Sequence, residues 1–120
     1  MLKIIRGVNR MRIIDIKTFP VDCFRTNWVF VKVYTDEGIT GVGEATLEYK
    51  EKALIGAVEH IKESLVGQNP LNIEKIWHDT YRDAYWRGGA VLMSALSAVE
   101  MALWDICLLY TSPSPRDYAA

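Results

Sequence analysis

The chain has 120 residues, half of them hydrophobic and 24% charged, the composition of one ordinary globular domain. A net charge of −1 excludes a partner recognised through global basicity, so neither nucleic acid nor an anionic membrane is an expected partner. No apolar run is expected to reach the ~20 residues of a bilayer span.

Residues 1–10 (MLKIIRGVNR) are basic, but their apolar stretch is too short for a signal peptide, so they read as an N-terminal extension ahead of Met11. With no export signal, a cytoplasmic protein is expected. Cys23 and Cys107 lack a metal-type spacing and read as free thiols.

Residues 11–21 (MRIIDIKTFPV) alternate as a half-buried strand does, with Ile14, Ile16 and Thr18 on one side and Asp15 and Lys17 on the other. Pro20 marks its end or an edge position. Residues 22–27 (DCFRTN) read as a loop. Residues 28–34 (WVFVKVY) form a second strand with Val29, Val31 and Val33 facing one way and Phe30, Lys32 and Tyr34 the other. Turn chemistry at 35–38 (TDEG) precedes a third strand, 39–45, weakened by Gly41 and Gly43. The sum is a three-stranded antiparallel meander.

After Glu48 the period becomes helical. In residues 49–66, Leu54, Val58, Ile61 and Leu65 share one face. Gly67 fits a C-cap, Pro70 the start of the next element and Asn72 an N-cap. Ile73, Ile76, Trp77, Thr80, Tyr81 and Ala84 are the expected buried stripe of the second helix. Arg87-Gly88-Gly89 interrupts the pattern, and Arg87 is expected to tie the turn to neighbouring carbonyl groups.

A third helix is predicted over 90–106 (AVLMSALSAVEMALWDI), its apolar face Leu92, Ala95, Leu96, Val99, Leu103 and Ile106. Glu100 and Asp105 supply nearly all its polarity, and a helix this apolar implies a covering surface that so short a chain does not easily provide. Trp77, Trp86 and Trp104 read as core residues, and His60 and His78 as solvated residues not spaced as metal ligands. Residues 107–120 abandon the helical period and place two prolines close together, so they read as a non-native or disordered tail.

Three segments carry a family resemblance, in the family's own order. VFVKVYTDEGITGVGEATLE (29–48) resembles the opening of enolase-superfamily proteins of the mandelate racemase branch. LVGQNPLNIEKIWHDTYR (65–82) is similar to their inter-helix segment, and DAYWRGGAVLMSALSAVEMALWDI (83–106) to the run that leads into their barrel. Within the branch, acid-sugar dehydratases of the galactonate and mannonate types are the most similar. Ala90 departs from the proline usual there, which touches a helix start and no substrate contact.

The resemblance implies an α+β N-terminal capping domain, three-stranded meander then helical bundle, spanning 11–106 and truncated before a TIM-like barrel. It implies a parent that is a Mg²⁺-dependent dehydratase of sugar acids and a homo-oligomer. In that chemistry barrel carboxylates hold Mg²⁺, and a Lys or His removes the proton α to the substrate carboxylate. Those residues lie beyond Ile106 in the resembling proteins, so no catalytic or metal-binding residue carries over, and this chain without the missing C-terminal barrel is expected to be inactive. The capping role falls to two loops, 22–27 and 46–50. Arg25, Thr26, Asn27 and Glu48 are the candidate substrate-binding residues: Arg25 offers only donors, Thr26 and Asn27 can meet hydroxyl groups, and Glu48 accepts from them. Lys50 reads as a solvated helix-start residue. Two other readings stand beside this one: a racemase or cycloisomerase of the same superfamily, and a non-catalytic α+β binding or assembly module, which the apolar third helix opposes.

Overall fold

Alternation in the two long strands decides which face of the sheet is buried. The computed structural model describes residues 10–82 and 85–112. Strands β1 (Ile13–Cys23), β2 (Thr26–Thr35) and β3 (Thr40–Glu44) form one antiparallel sheet in the order β1-β2-β3. Helices α1 (Glu51–Leu65), α2 (Ile73–Arg82) and α3 (Ala90–Thr111) follow. Val29, Val31 and Val33 turn inward and are fully buried, joined by Ile13 and Ile16 from β1. Each such side chain contributes about 1.5–3 kcal/mol by leaving water. The other face carries Phe19 opposite Phe30, Trp28 edge-on to Phe30, and Lys17 and Lys32 over the Tyr34 ring.

The first strand departs from simple alternation. Ile13 pairs with Thr35 but Asp15 pairs with Tyr34, so one extra residue is accommodated at Ile14. This bulge turns Ile14 outward and lets Ile13 join Ile16 in the core, where the sequence alone placed Ile14 and Ile16 together. The bulge leaves Asp15 beside α1, where its carboxylate meets Lys62 at 2.6 Å.

Helix α1 buries Leu54, Val58, Ile61 and Leu65, the predicted face. It stops where Gly67 takes φ +93°, which an L side chain disfavours. The chain then runs back along β1: Gly67 N–H donates to Ile13 O at 2.8 Å and Ile13 N–H to Gln68 O at 2.9 Å. Helix α2 begins directly after Asn72 and buries Ile73 and Ile76, while Trp77 and Tyr81 stack at 5.2 Å in half-buried positions. Ala84 lies outside the described residues.

Helix α3 lies against β3, α1 and β2. Its inner face is Ala95, Leu96, Ala98, Val99, Ala102, Leu103 and Ile106, all buried. The approach to β3 is backbone on backbone. A Cβ on Gly41 would stand in the carbonyl of Ala102, and one on Gly43 in that of Ala98. The glycines that weaken β3 as an isolated strand are what admit the helix.

Three sequence expectations about this helix are corrected. It runs to Thr111, five residues beyond Ile106, because no breaker precedes Pro113; Ser112 N–H closes on Leu108 O at 2.8 Å and the Thr111 hydroxyl on Cys107 O at 2.7 Å. At 22 residues it is therefore long and apolar enough to cross a bilayer by length and composition, which the shorter predicted helix was not. Its apolarity has a second use, since one side is the core of the α+β layer. Leu92, assigned to that side, is exposed, as are Trp86 and Trp104, because nothing in the described chain covers the outer side of α3 or the loop before it. Met101, Leu108 and Leu109 share that exposure.

Candidate functional site

The loop expected at 22–27 is a two-residue hairpin tip. Asp22 pairs with Asn27 and Cys23 with Thr26, which leaves only Phe24 and Arg25 outside the ladder. Asp22, Cys23, Thr26 and Asn27 are strand residues because the ladder satisfies their backbone groups to the very end. The second loop, between β3 and α1, starts at Ala45, whose N–H donates to Val29 O at 2.8 Å. Thr46 then acts as a bracket. Its hydroxyl accepts from Val29 N–H at 3.1 Å and donates to a Glu44 carboxylate oxygen at 2.6 Å.

The fold brings the tip and this loop together. Arg25 Nη2 stands 3.8 Å from Glu48 Oε2, an exposed pair. Its strength is small in water, but it joins two of the four predicted residues across the gap between the loops. Thr26 donates from its hydroxyl to Glu51 Oε1 at 3.1 Å, and Asn27 from its backbone N–H to the same oxygen at 3.4 Å. Thr26 is thus committed to a structural bond, while Asn27 uses its main chain and keeps an exposed side chain.

Glu51 is the residue that sequence reasoning missed. It reads as one more charged position on the solvent side of a helix. It occupies the first turn of α1, where no side chain of Lys50 caps the helix. Its own backbone N–H, then those of Asn27 and Tyr49 and the Thr26 hydroxyl, favour the charged carboxylate and hold it below the usual range against a smaller desolvation cost. An acidic residue at the first helical position after a loop was the available signal.

Arg87 behaves as expected: Nε and Nη2 both point at Arg82 O, at 3.4 and 3.3 Å, closing the end of α2. His60 and His78 are exposed. A groove of about 350 Å³ lies between α1, α2 and the start of α3, lined by Ile61, Ser64, Asp79, Tyr81 and Leu92 among others, and it shares no lining residue with the two loops. Among the described residues, no group of three or more His, Cys, Asp or Glu side chains converges as a metal site. The described residues thus offer no cluster of carboxylates that would by itself enclose a Mg²⁺ ion.

Comparison with known proteins follows the same lines. The sequence profile of the mandelate racemase / muconate lactonizing enzyme N-terminal domain matches residues 7–108. A D-galactonate dehydratase family member, RspA of Halomonas elongata, is 53% identical over 81 residues, covering 67% of this chain and 20% of that protein. A D-mannonate dehydratase of Caulobacter vibrioides is 48% identical over 97 residues, covering 80% of this chain and 24% of that protein. Among solved structures, an enolase from Pantoea ananatis with bound D-gluconate and Mg superposes with a TM-score of 0.79 at 36% identity, over 83% of this chain and 25% of that one. The chain thus spans about a fifth to a quarter of the length of the curated relatives it matches.

Proposed function

Because the chain belongs to the mandelate racemase / muconate lactonizing enzyme family, as its N-terminal domain, we propose that it is the capping and specificity domain of a sugar-acid dehydratase of the galactonate or mannonate type. The observation that carries this reading is the cross-linking of the β1–β2 tip to the β3–α1 loop and the first turn of α1. Arg25 meets Glu48, while Thr26 and Asn27 meet Glu51. A lid works by presenting polar groups at a fixed spacing and by excluding water. Two loops that hold each other keep that spacing before substrate arrives.

In this reading Arg25 donates to a substrate oxygen, Glu48 accepts from a hydroxyl of the sugar acid, and the Asn27 side chain contacts a distal hydroxyl. Thr26 positions the tip through Glu51. The Mg²⁺ ion and the base that removes the α-proton belong to a barrel that this chain does not contain. The exposed outer side of α3, with Met101, Trp104, Leu108 and Leu109, supports the reading, since it offers apolar area for such a barrel to cover. A cytoplasmic location and an oligomeric parent belong to the same proposal.

The test is a dehydration assay on the full-length protein carrying this chain, with D-galactonate, D-gluconate and D-mannonate in the presence of Mg²⁺, following the 2-keto-3-deoxy product. Turnover of one of these acids, with a raised KM in Glu48→Ala, is the expected result. Turnover by residues 1–120 alone, or none by the full-length protein, contradicts it.

A further inference from the structure

The sheet of this domain is blunted at its edges and open on one face. On β1, the Ile16 N–H is taken by the neighbouring Asp15 Oδ1 at 2.8 Å, and Pro20 has no N–H to offer. On β3, the Val42 N–H goes to Asp105 Oδ2 at 2.9 Å. A foreign strand therefore meets a poor template at either side. Helices α1 and α3 pack on the inner face of the strands. Among the described residues nothing covers the outer face, where Phe19, Val21, Trp28 and Val42 are 42–45% exposed.

That face is laid out in rows. Val21 stands opposite Trp28. Phe19, Phe30 and Glu44 form the next row, and Lys17, Lys32 and Val42 the one after. Two like charges directly opposite each other on neighbouring strands repel. Among the described residues neither lysine forms an ion pair. Both ammonium groups instead crowd one ring, at 5.4 and 5.5 Å from the centre of Tyr34. Glu44 is exposed, and its carboxylate accepts from the Thr46 hydroxyl at 2.6 Å. A patch of aromatic side chains thus carries two cations toward one corner and a carboxylate at the corner diagonally opposite.

We infer that this face joins two copies of the chain, sheet on sheet. A two-fold axis lying between the stacked sheets, at right angles to the Lys17–Glu44 diagonal, sets Lys17 over the partner's Glu44 and Glu44 over the partner's Lys17. The same rotation brings Lys32 beside the partner's Glu44 and lays Phe19 and Phe30 against the partner's aromatic pair. The patch is complementary to itself, in charge and in apolar character. An acidic partner of another kind would answer the lysines alone; the carboxylate on the same face singles out a second copy. Buried aromatic side chains supply most of the strength of such a contact, and the charge pairs fix its register. The outer side of α3, offered above to a barrel, belongs to the helical layer, so the two partners meet different layers of the domain. The inference rests on the oligomeric parent proposed above and gives that assembly its contact.

The experiment measures the mass of the full-length protein carrying this chain by sedimentation velocity over a range of concentrations. Glu44→Lys alone, and Lys17→Glu with Lys32→Glu, each set like charges across the contact. Each halves the assembly or weakens its association by about tenfold or more. The three substitutions together restore it, because the charges are then exchanged in full; a purely structural role for these residues predicts no such rescue. A second readout disrupts nothing. With Cys23→Ser and Cys107→Ser in place, Lys17→Cys combined with Glu44→Cys gives a disulfide-linked dimer on mild oxidation, whereas Gly56→Cys in the same background does not. A monomeric wild type, an assembly that both reversals leave intact, a loss that the combined variant does not restore, or the absence of the cross-link overturns the inference. Dehydration of D-galactonate, D-gluconate and D-mannonate is followed on the same samples. Turnover with an unmoved assembly discards this contact and keeps the dehydratase; the expected shifts in mass without turnover keep the contact and discard the dehydratase.

Discussion

Asp105 Oδ2 accepts a hydrogen bond at 2.9 Å from the backbone N–H of Val42, 63 residues away in sequence. β3 is an edge strand, and an outward N–H on an edge is open to water or to a foreign strand. The carboxylate from α3 closes that position and holds the helix in register with the strand beneath it. Asp105→Ala is expected to cost about 1 kcal/mol, the net worth of one hydrogen bond at a partly exposed site, and Asp105→Asn, which keeps an acceptor oxygen, less. Urea unfolding of the three proteins measures the difference.

The contact between α3 and β3 leaves no room for a methyl group. Gly41→Ala and Gly43→Ala each drive a Cβ into a helix carbonyl, so the helix must move as a body. Each is expected to destabilise by about 3 kcal/mol or more, or to prevent folding. Gly56→Ala is the opposite case. Gly56 lies inside α1 with open space where a methyl group would stand, and the substitution should stabilise by about 0.5–1 kcal/mol through helix propensity. Thermal unfolding monitored by circular dichroism ranks the three.

The pH dependence of stability has an acid limb with named sources. Lys62 donates to Asp15, as does the Ile16 N–H at 2.8 Å, and the Asp15 carboxyl is held below its ordinary 3.8. Glu51 is held below its ordinary 4.5 by the backbone and hydroxyl donors around it. A carboxyl with a depressed folded pKa adds stability above its unfolded value, and that stability disappears as pH falls through the folded one. Acid destabilisation therefore sets in below about pH 4.5, and Asp15→Asn and Glu51→Gln each flatten it. The Lys62 ammonium, raised above its ordinary 10.5 by the Asp15 carboxylate, contributes below that value and loses its contribution as pH rises through the higher folded one. Urea midpoints collected across the range from acid to neutral pH test the acid limb, and equal slopes in wild type and Asp15→Asn contradict it.

In the last turns of α3, Cys107 and Tyr110 pack against the core, while Leu108 and Leu109 contribute apolar surface but little folding energy. Leu108 and Leu109 are 60% and 56% exposed. Leu108→Lys with Leu109→Lys is expected to change the stability of residues 1–120 by no more than about 0.5 kcal/mol and to reduce self-association. Sedimentation velocity paired with thermal unfolding distinguishes this from a packed position, where both leucines would matter to folding.

Much of this protein was written in its order of residue types. The alternation of Val29, Val31 and Val33, the spacing of Leu54, Val58, Ile61 and Leu65, and the glycine at 67 determine the meander, the first helix and its end, because each depends on neighbours a few residues apart. The family resemblance rests on the same local strings. What tertiary structure decided is non-local. A bulge at Ile14 answers to the strand opposite, not to β1's own alternation. The glycines of β3 look like defects until a helix from the far end of the chain lies against them. Glu51 looks like a solvated helix residue until the hairpin tip arrives at its carboxylate. A pattern records which way a residue faces; only the closed chain supplies what stands in front of it, and sites are made of that second relation.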